Sequence, residues 1–172
     1  MSLIVEDGSA RADSESYASV AQIDAYHAAR GNAQWAALTV TEKEQAARRA
    51  TDYLLQMYRT KWKGARASLN QALDWPRLEV QLDDVGFGRM PYYVPFNTIP
   101  QQVIQATAEM ALRAAAGELA PDLQRTVAEK TIGPIKTVYA SGAPEYVRYR
   151  AIDMLLKPLL ASGGMGIRLE RA

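Results

Sequence analysis

The chain of 172 residues contains no cysteine, which excludes a disulfide framework, a thiolate metal site and a thiol nucleophile. Its one histidine is His27, so a metal site built on two histidines is excluded as well. No secretory leader is expected, because Met1 runs into Glu6-Asp7-Gly8 rather than a basic and then apolar stretch. No apolar run approaches the ~20 residues that cross a bilayer. The expectation is a soluble protein made in a cytoplasm, with no membrane partner.

Chemical signatures are equally sparse. His27 shares a helical face with Val20 and Ile23, which reads as a packed core histidine, and no Gly-x-Ser-x-Gly elbow supports a hydrolase. Residues 162–166 are rich in glycine but lack the Lys-Ser/Thr of a phosphate loop. Asp83-Asp84 beside Gly86 and Gly88 does not match an EF-hand loop. We therefore expect no enzyme, no cofactor and no metal site.

What is present is an ordinary globular balance, 48% hydrophobic and 23% charged, which suits a single domain with a real core. The formal net charge of +1 hides an asymmetry. Residues 1–24 carry Glu6, Asp7, Asp13, Glu15 and Asp24 against Arg11, whereas residues 48–77 carry seven bases against Asp52 and Asp74. With a pI near 7.9, the chain lacks the basic excess, with pI above ~9, usual in free nucleic-acid binders. Opposite patches suit a subunit that meets its neighbour edge to edge.

Periodicity predicts a mostly α fold: four helices in a bundle-like domain, one small β-hairpin, a long irregular loop and a flexible C-terminal tail. An extended arm over 1–15 precedes a helix capped by Ser19 and Gln22 and ended by Gly31. A second helix is expected from Thr41, with Glu44 three residues on, to about Tyr58; its buried stripe is Ala46, Ala50, Tyr53, Leu54 and Met57. The helical period then vanishes until Pro100, leaving a loop over 78–98. Pro100 sits at the start of a third helix with Val103, Thr107, Met110, Ala111 and Ala114 on one face and Gly117 at its end. A hairpin is expected over 126–139 about Gly133-Pro134. Pro144 opens a last helix carrying Val147, Ala151, Leu155, Leu156 and Leu159, bent near Pro158. The domain thus covers 1–161, with a linker and docking tail over 162–172.

The segment richest in possible meaning holds Trp62-Lys63-Gly64 and Asp74-Trp75-Pro76-Arg77, two of the three tryptophans among Arg59, Lys61, Lys63, Arg66 and Arg77. Aromatics interleaved with cations can stack single-stranded DNA at ~1–3 kcal/mol per base. They can also anchor a protein partner, or close a core with lysine and arginine stems lying over the rings. Residue types alone leave these three readings open.

Ile4-Val5-Glu6-Asp7-Gly8, Ser16-Tyr17, Asp24-Ala25-Tyr26, Ala29-Arg30-Gly31, Ala50-Thr51-Asp52-Tyr53-Leu54, Trp62-Lys63-Gly64, Gln71-Ala72-Leu73-Asp74-Trp75-Pro76-Arg77, Ile99-Pro100, Leu119-Ala120-Pro121 and Gly133-Pro134-Ile135 occur in this order. The pattern resembles a family of tailed phages and prophages often labelled DnaT-like single-stranded-DNA-binding protein. Its members look like head-tail connectors, or neck adaptors. That resemblance implies a dodecameric ring in the virion neck. It would lie between the portal and the next neck or tail protein, around double-stranded DNA that passes without specific binding. By analogy the tail residues Ile167, Arg168, Leu169 and Arg171 would dock on the portal. Glu6, Asp7, Lys61, Lys63 and Arg66 would meet the neighbouring subunit, and Trp62, Trp75 and Pro76 would form a structural corner. The alternative that the label implies is a single-stranded-DNA-binding accessory of replication.

Overall fold

The computed structural model describes residues 2–85, 91–121, 129–132, 135–138 and 147–161. The fold is mostly helical. Its helices are α1 (Val20–Ala28), α2 (Ala33–Ala36), α3 (Val40–Tyr58), α4 (Gln101–Ala116) and α5 (Arg150–Leu156), the last passing into a 3-10 turn at Lys157–Leu159. Three antiparallel pairs accompany them. They are β1 (Ala65–Arg66) with β2 (Arg77–Leu78), β3 (Gln81–Leu82) with β4 (Tyr92–Tyr93), and β5 (Glu129–Ile132) with β6 (Ile135–Val138).

The core forms where α3 lies against α4, with α1 and α5 also packed on α4. From α3 it takes Ala46, Ala50 and Leu54, and from α4 Val103, Ala106, Met110, Ala111 and Ala114, all buried. The run of alanines in α4 lets its neighbours approach closely. Ile23, Ile152 and Leu156 close the cluster from α1 and α5.

Local signals place most helix ends. Ser19 accepts from the Gln22 N–H, and Gln22 Oε1 accepts from the Ser19 N–H, a complete capping box. The same device starts α3, but at Thr39 with Glu42 rather than at Thr41 with Glu44. The sequence Thr39-Val40-Thr41-Glu42-Lys43-Glu44 holds two overlapping boxes, and the outer one is used. Pro100 stands at the N-cap of α4 and Gly117 at its C-cap. Helix α2, which carries the buried Trp35, was not expected.

The last helix begins at Arg150, and Pro144 lies outside the described residues. Tyr149 precedes it with a backbone at φ −101° and ψ 82°. The Tyr149 ring is held edge-on to Tyr53 at 5.5 Å and its hydroxyl donates to the Leu119 carbonyl at 3.2 Å. That anchoring sets the helix in a different phase: Ile152, Leu156 and Leu159 are buried, while Ala151 is exposed.

The N-terminal arm is tied down rather than free. Val5 bridges Ser16, the Glu6 N–H donates to the Ser16 carbonyl at 2.9 Å, and the Glu15 N–H to Ile4 at 2.8 Å. Gly8 turns this arm at φ +100°, where a Cβ would lie 2.0 Å from the Asn97 carbonyl oxygen, so only glycine fits. Of the expected hairpin over 126–139, the described strands place Ile132 opposite Ile135. The tail over 162–172 lies outside the described residues.

Candidate functional site

The tryptophan segment folds inward. Trp75 is fully buried and Trp62 nearly so, with the two rings edge to face at 5.6 Å and Tyr58 against Trp62 at 5.7 Å. The Trp75-Pro76 peptide is cis. Trp62 Nε1 donates to Asp74 Oδ2 at 3.2 Å, and the Asp74 N–H donates to the Tyr17 hydroxyl at 2.9 Å. Gln71 Nε2 donates to the carbonyls of Leu73 and Pro76.

Arg77 is the corner's main cross-tie. Buried beside the tryptophans, it donates to three backbone carbonyls: Lys63 at 2.8 Å, Gly64 at 2.7 Å and Asp74 at 3.2 Å. Charge-assisted bonds of this kind reinforce the two-residue β1–β2 ladder that joins the same chain segments. Burial pushes the Asp74 carboxyl above the usual carboxylate range, an effect that Trp62 and the nearby Arg59, 3.6 Å away, partly offset. Burial also raises the Tyr17 phenol well above its ordinary value.

The other cations of the segment divide sharply. Lys63 pairs with Asp83 and donates to the Gln81 carbonyl, and Arg66 donates to the carbonyls of Gln71 and Leu69. Arg48 pairs with Glu15 at 2.8 Å, and Lys43 with Asp24 at 3.0 Å. The acidic N-terminal region and the basic middle thus compensate each other partly within one chain. Lys61 stays exposed, its Nζ 5.2 Å from the Tyr58 ring centre. Lys157 is brought to the same corner by the bridge between Trp62 and Leu160.

Glu6, expected at a subunit interface, is buried. Its carboxylate accepts from the N–H groups of Gly8, Ala10 and Arg11 and from the Ser14 hydroxyl, at 2.9–3.0 Å. Four donors from its own turn leave it nothing to offer a neighbour, so its role is to hold the arm. Asp7 remains exposed and accepts from the Ser9 N–H at 3.0 Å. His27 is buried with Nε2 2.9 Å from the Ala108 carbonyl and Nδ1 2.9 Å from Asn32 Nδ2. The donor must be Nε2, which leaves Nδ1 to accept from Asn32. Burial lowers the pKa of His27, the state expected of a neutral core imidazole.

The surface that sequence reasoning left as irregular loop is the β3–β4 hairpin. Tyr92, Tyr93 and Phe96 are 54%, 50% and 62% exposed, and Leu78 is 40% exposed beside them. Leu78, Glu79, Gln81 and Tyr93 to Phe96 line an open groove. The available signal was Tyr92-Tyr93 between Pro91 and Pro95, a β-favouring pair with edge-strand guards. Among the described residues no cluster of acids and histidine has the makings of a metal site, and no helix is long and apolar enough to cross a membrane.

These features define a small, mostly helical protein whose distinctive segment is a sealed aromatic corner, with open aromatics on a neighbouring hairpin. The family model described as "Putative DnaT-like ssDNA binding protein" matches residues 1–172, and the chain belongs to that family. No curated protein and no solved structure matches the chain. Of the two descriptions set side by side by the sequence, the match supports the DnaT-like one, and none supports a head-tail connector.

Proposed function

We propose that the protein binds single-stranded DNA, and that it does so through phosphate contacts rather than through Trp62 and Trp75. The observation that carries this is the family match along residues 1–172. The buried rings offer no face for a base, so the contact falls to exposed cations at the corner, Arg59, Lys61 and Lys157. Three neutralised phosphates correspond to a loss of roughly 20-fold in affinity between about 50 and 200 mM salt. Fluorescence anisotropy of a labelled oligothymidylate reads this directly, and reversing Lys61 and Lys157 to glutamate should abolish the signal at low salt. No anisotropy change for the unaltered protein at low salt would sink the proposal.

A second reading, a structural connector in the neck of a tailed phage, draws on different surfaces. The exposed rings of Tyr93 and Phe96 share their groove with Glu79, an acid that repels phosphate and suits a protein contact. In that reading Asp7 and Lys61 meet the next subunit in a ring and Ile167, Arg168, Leu169 and Arg171 meet the portal protein. Negative-stain images with portal distinguish it: rings support it, and a monomer indifferent to portal counts against it.

A further inference from the structure

The β3–β4 hairpin has two unlike faces. Side chains alternate along a strand: Val80, Leu82 and Val94 pack on the core, while Gln81 is exposed. The register sets Tyr93 opposite Gln81, so the Tyr93 ring lies on the outer face. The Val94 N–H donates to the Val80 carbonyl at 2.9 Å, and bonded and non-bonded pairs alternate in an antiparallel ladder. Gln81 and Tyr93 are therefore a non-bonded pair, the kind whose side chains approach closest. Tyr93 and Phe96, 50% and 62% exposed, line the groove with Leu78, Glu79 and Gln81.

The corner's lysines are carried on elements in contact with this hairpin. The 3-10 turn that includes Lys157 packs against β3. Lys63 sends its Nζ to the Gln81 carbonyl at 3.1 Å, and the Ala161 N–H donates to the Lys61 carbonyl at 2.8 Å. Lys61 and Lys157 are both exposed. Lys63, by contrast, is matched by Asp83.

Two requirements of an unpaired strand are thus met by neighbouring groups of different chemistry. Its phosphates need cations, and its bases need aromatic faces. Glu79 adds a direction. Its negative charge keeps phosphate out of the groove, so the backbone follows the lysines and the bases turn toward the rings. A duplex keeps its base faces inside the stack and offers the rings nothing to cover.

Resting on the DNA-binding reading, we propose that Tyr93 and Phe96 are the base-stacking platform for the single strand, with Lys61 and Lys157 holding its phosphates alongside. Leu78 continues the apolar surface under the bases. The stacking site that composition suggested at Trp62 and Trp75 is thereby moved to the hairpin, where the rings have free faces. Every base has a π-face, so such a platform is tolerant of sequence.

Anisotropy of a labelled oligothymidylate, set against an abasic strand of the same length and charge, separates the two kinds of contact. The full-length protein should bind the abasic strand at least tenfold more weakly. The double variant Tyr93→Ser/Phe96→Ser should lose tenfold or more in affinity for oligothymidylate. Its slope of log K against log salt should stay unchanged, because no phosphate contact is lost. Equal affinity for the two strands, or unaltered affinity in the double variant, would overturn the platform and leave phosphate binding by the lysines standing. A loss accompanied by a flatter salt slope would overturn it as well. If oligothymidylate is not bound at all, the DNA-binding reading falls and the platform with it.

Discussion

The corner over 62–77 and the hairpin over 81–93 hold the same kinds of residue and face opposite ways. In the corner, Trp62 and Trp75 point inward, and Arg77 spends its guanidinium on three backbone carbonyls. In the hairpin, Tyr92 and Tyr93 are exposed, as is Phe96 just after it. The corner sits between α3, the bridge to Leu160 and the N-terminal Tyr17, so its rings are covered from several sides. The hairpin has β3 on one side of β4 and, among the described residues, no strand on the other. Aromatic and basic composition therefore identified places of consequence without saying which of them was a surface.

The largest test of this contrast is Trp75→Ala. Emptying a fully buried tryptophan site should cost about 3–5 kcal/mol, read as a lower denaturant midpoint with little change in slope. A loss below about 1 kcal/mol would mean the corner is not part of the core.

A smaller effect concerns Asp74. Its folded-state pKa is raised by burial, so the native state holds a proton in a window where the unfolded chain has released it. Stability from this group is present below the unfolded carboxylate value near ~3.9 and is lost as pH rises through the folded value. Asp74→Asn should therefore gain stability relative to the unaltered protein as pH climbs from about 4 toward neutrality, measured by urea unfolding at several pH values. A constant difference across that range would show that Asp74 titrates as an ordinary carboxylate.

The smallest effect belongs to the hairpin. Tyr93→Ser should change folding stability by no more than about 0.5 kcal/mol, because the ring is half in water already. A thermal shift as large as that of Trp75→Ala would erase the distinction between the two regions.

Much of the helical frame was legible because it rests on local chemistry. The Ser19–Gln22 box, the faces of α3 and α4, and the proline and glycine at the ends of α4 are all short-range signals. The α3 start was displaced because two capping boxes overlap there, and the phase of α5 because Tyr149 is fixed by Tyr53 and Leu119 from distant segments. The two-residue strands over 65–93 left no period to detect. Glu6 looked like a free surface acid, since nothing in its sequence context shows that the next eight residues curl round its carboxylate.

By itself the sequence determined most of the helical frame, the absence of thiol and two-histidine metal chemistry, and the whole-chain family pattern. These depend on residue identity and on neighbours within a few positions. Only the tertiary structure decided which aromatics are stacked inside and which wait at an edge. Burial is settled by partners far along the chain, as Tyr17 meeting Asp74 shows. The same folding turned Arg77 into an internal tie and left Lys61 in water, because backbone carbonyls converged on one and not on the other.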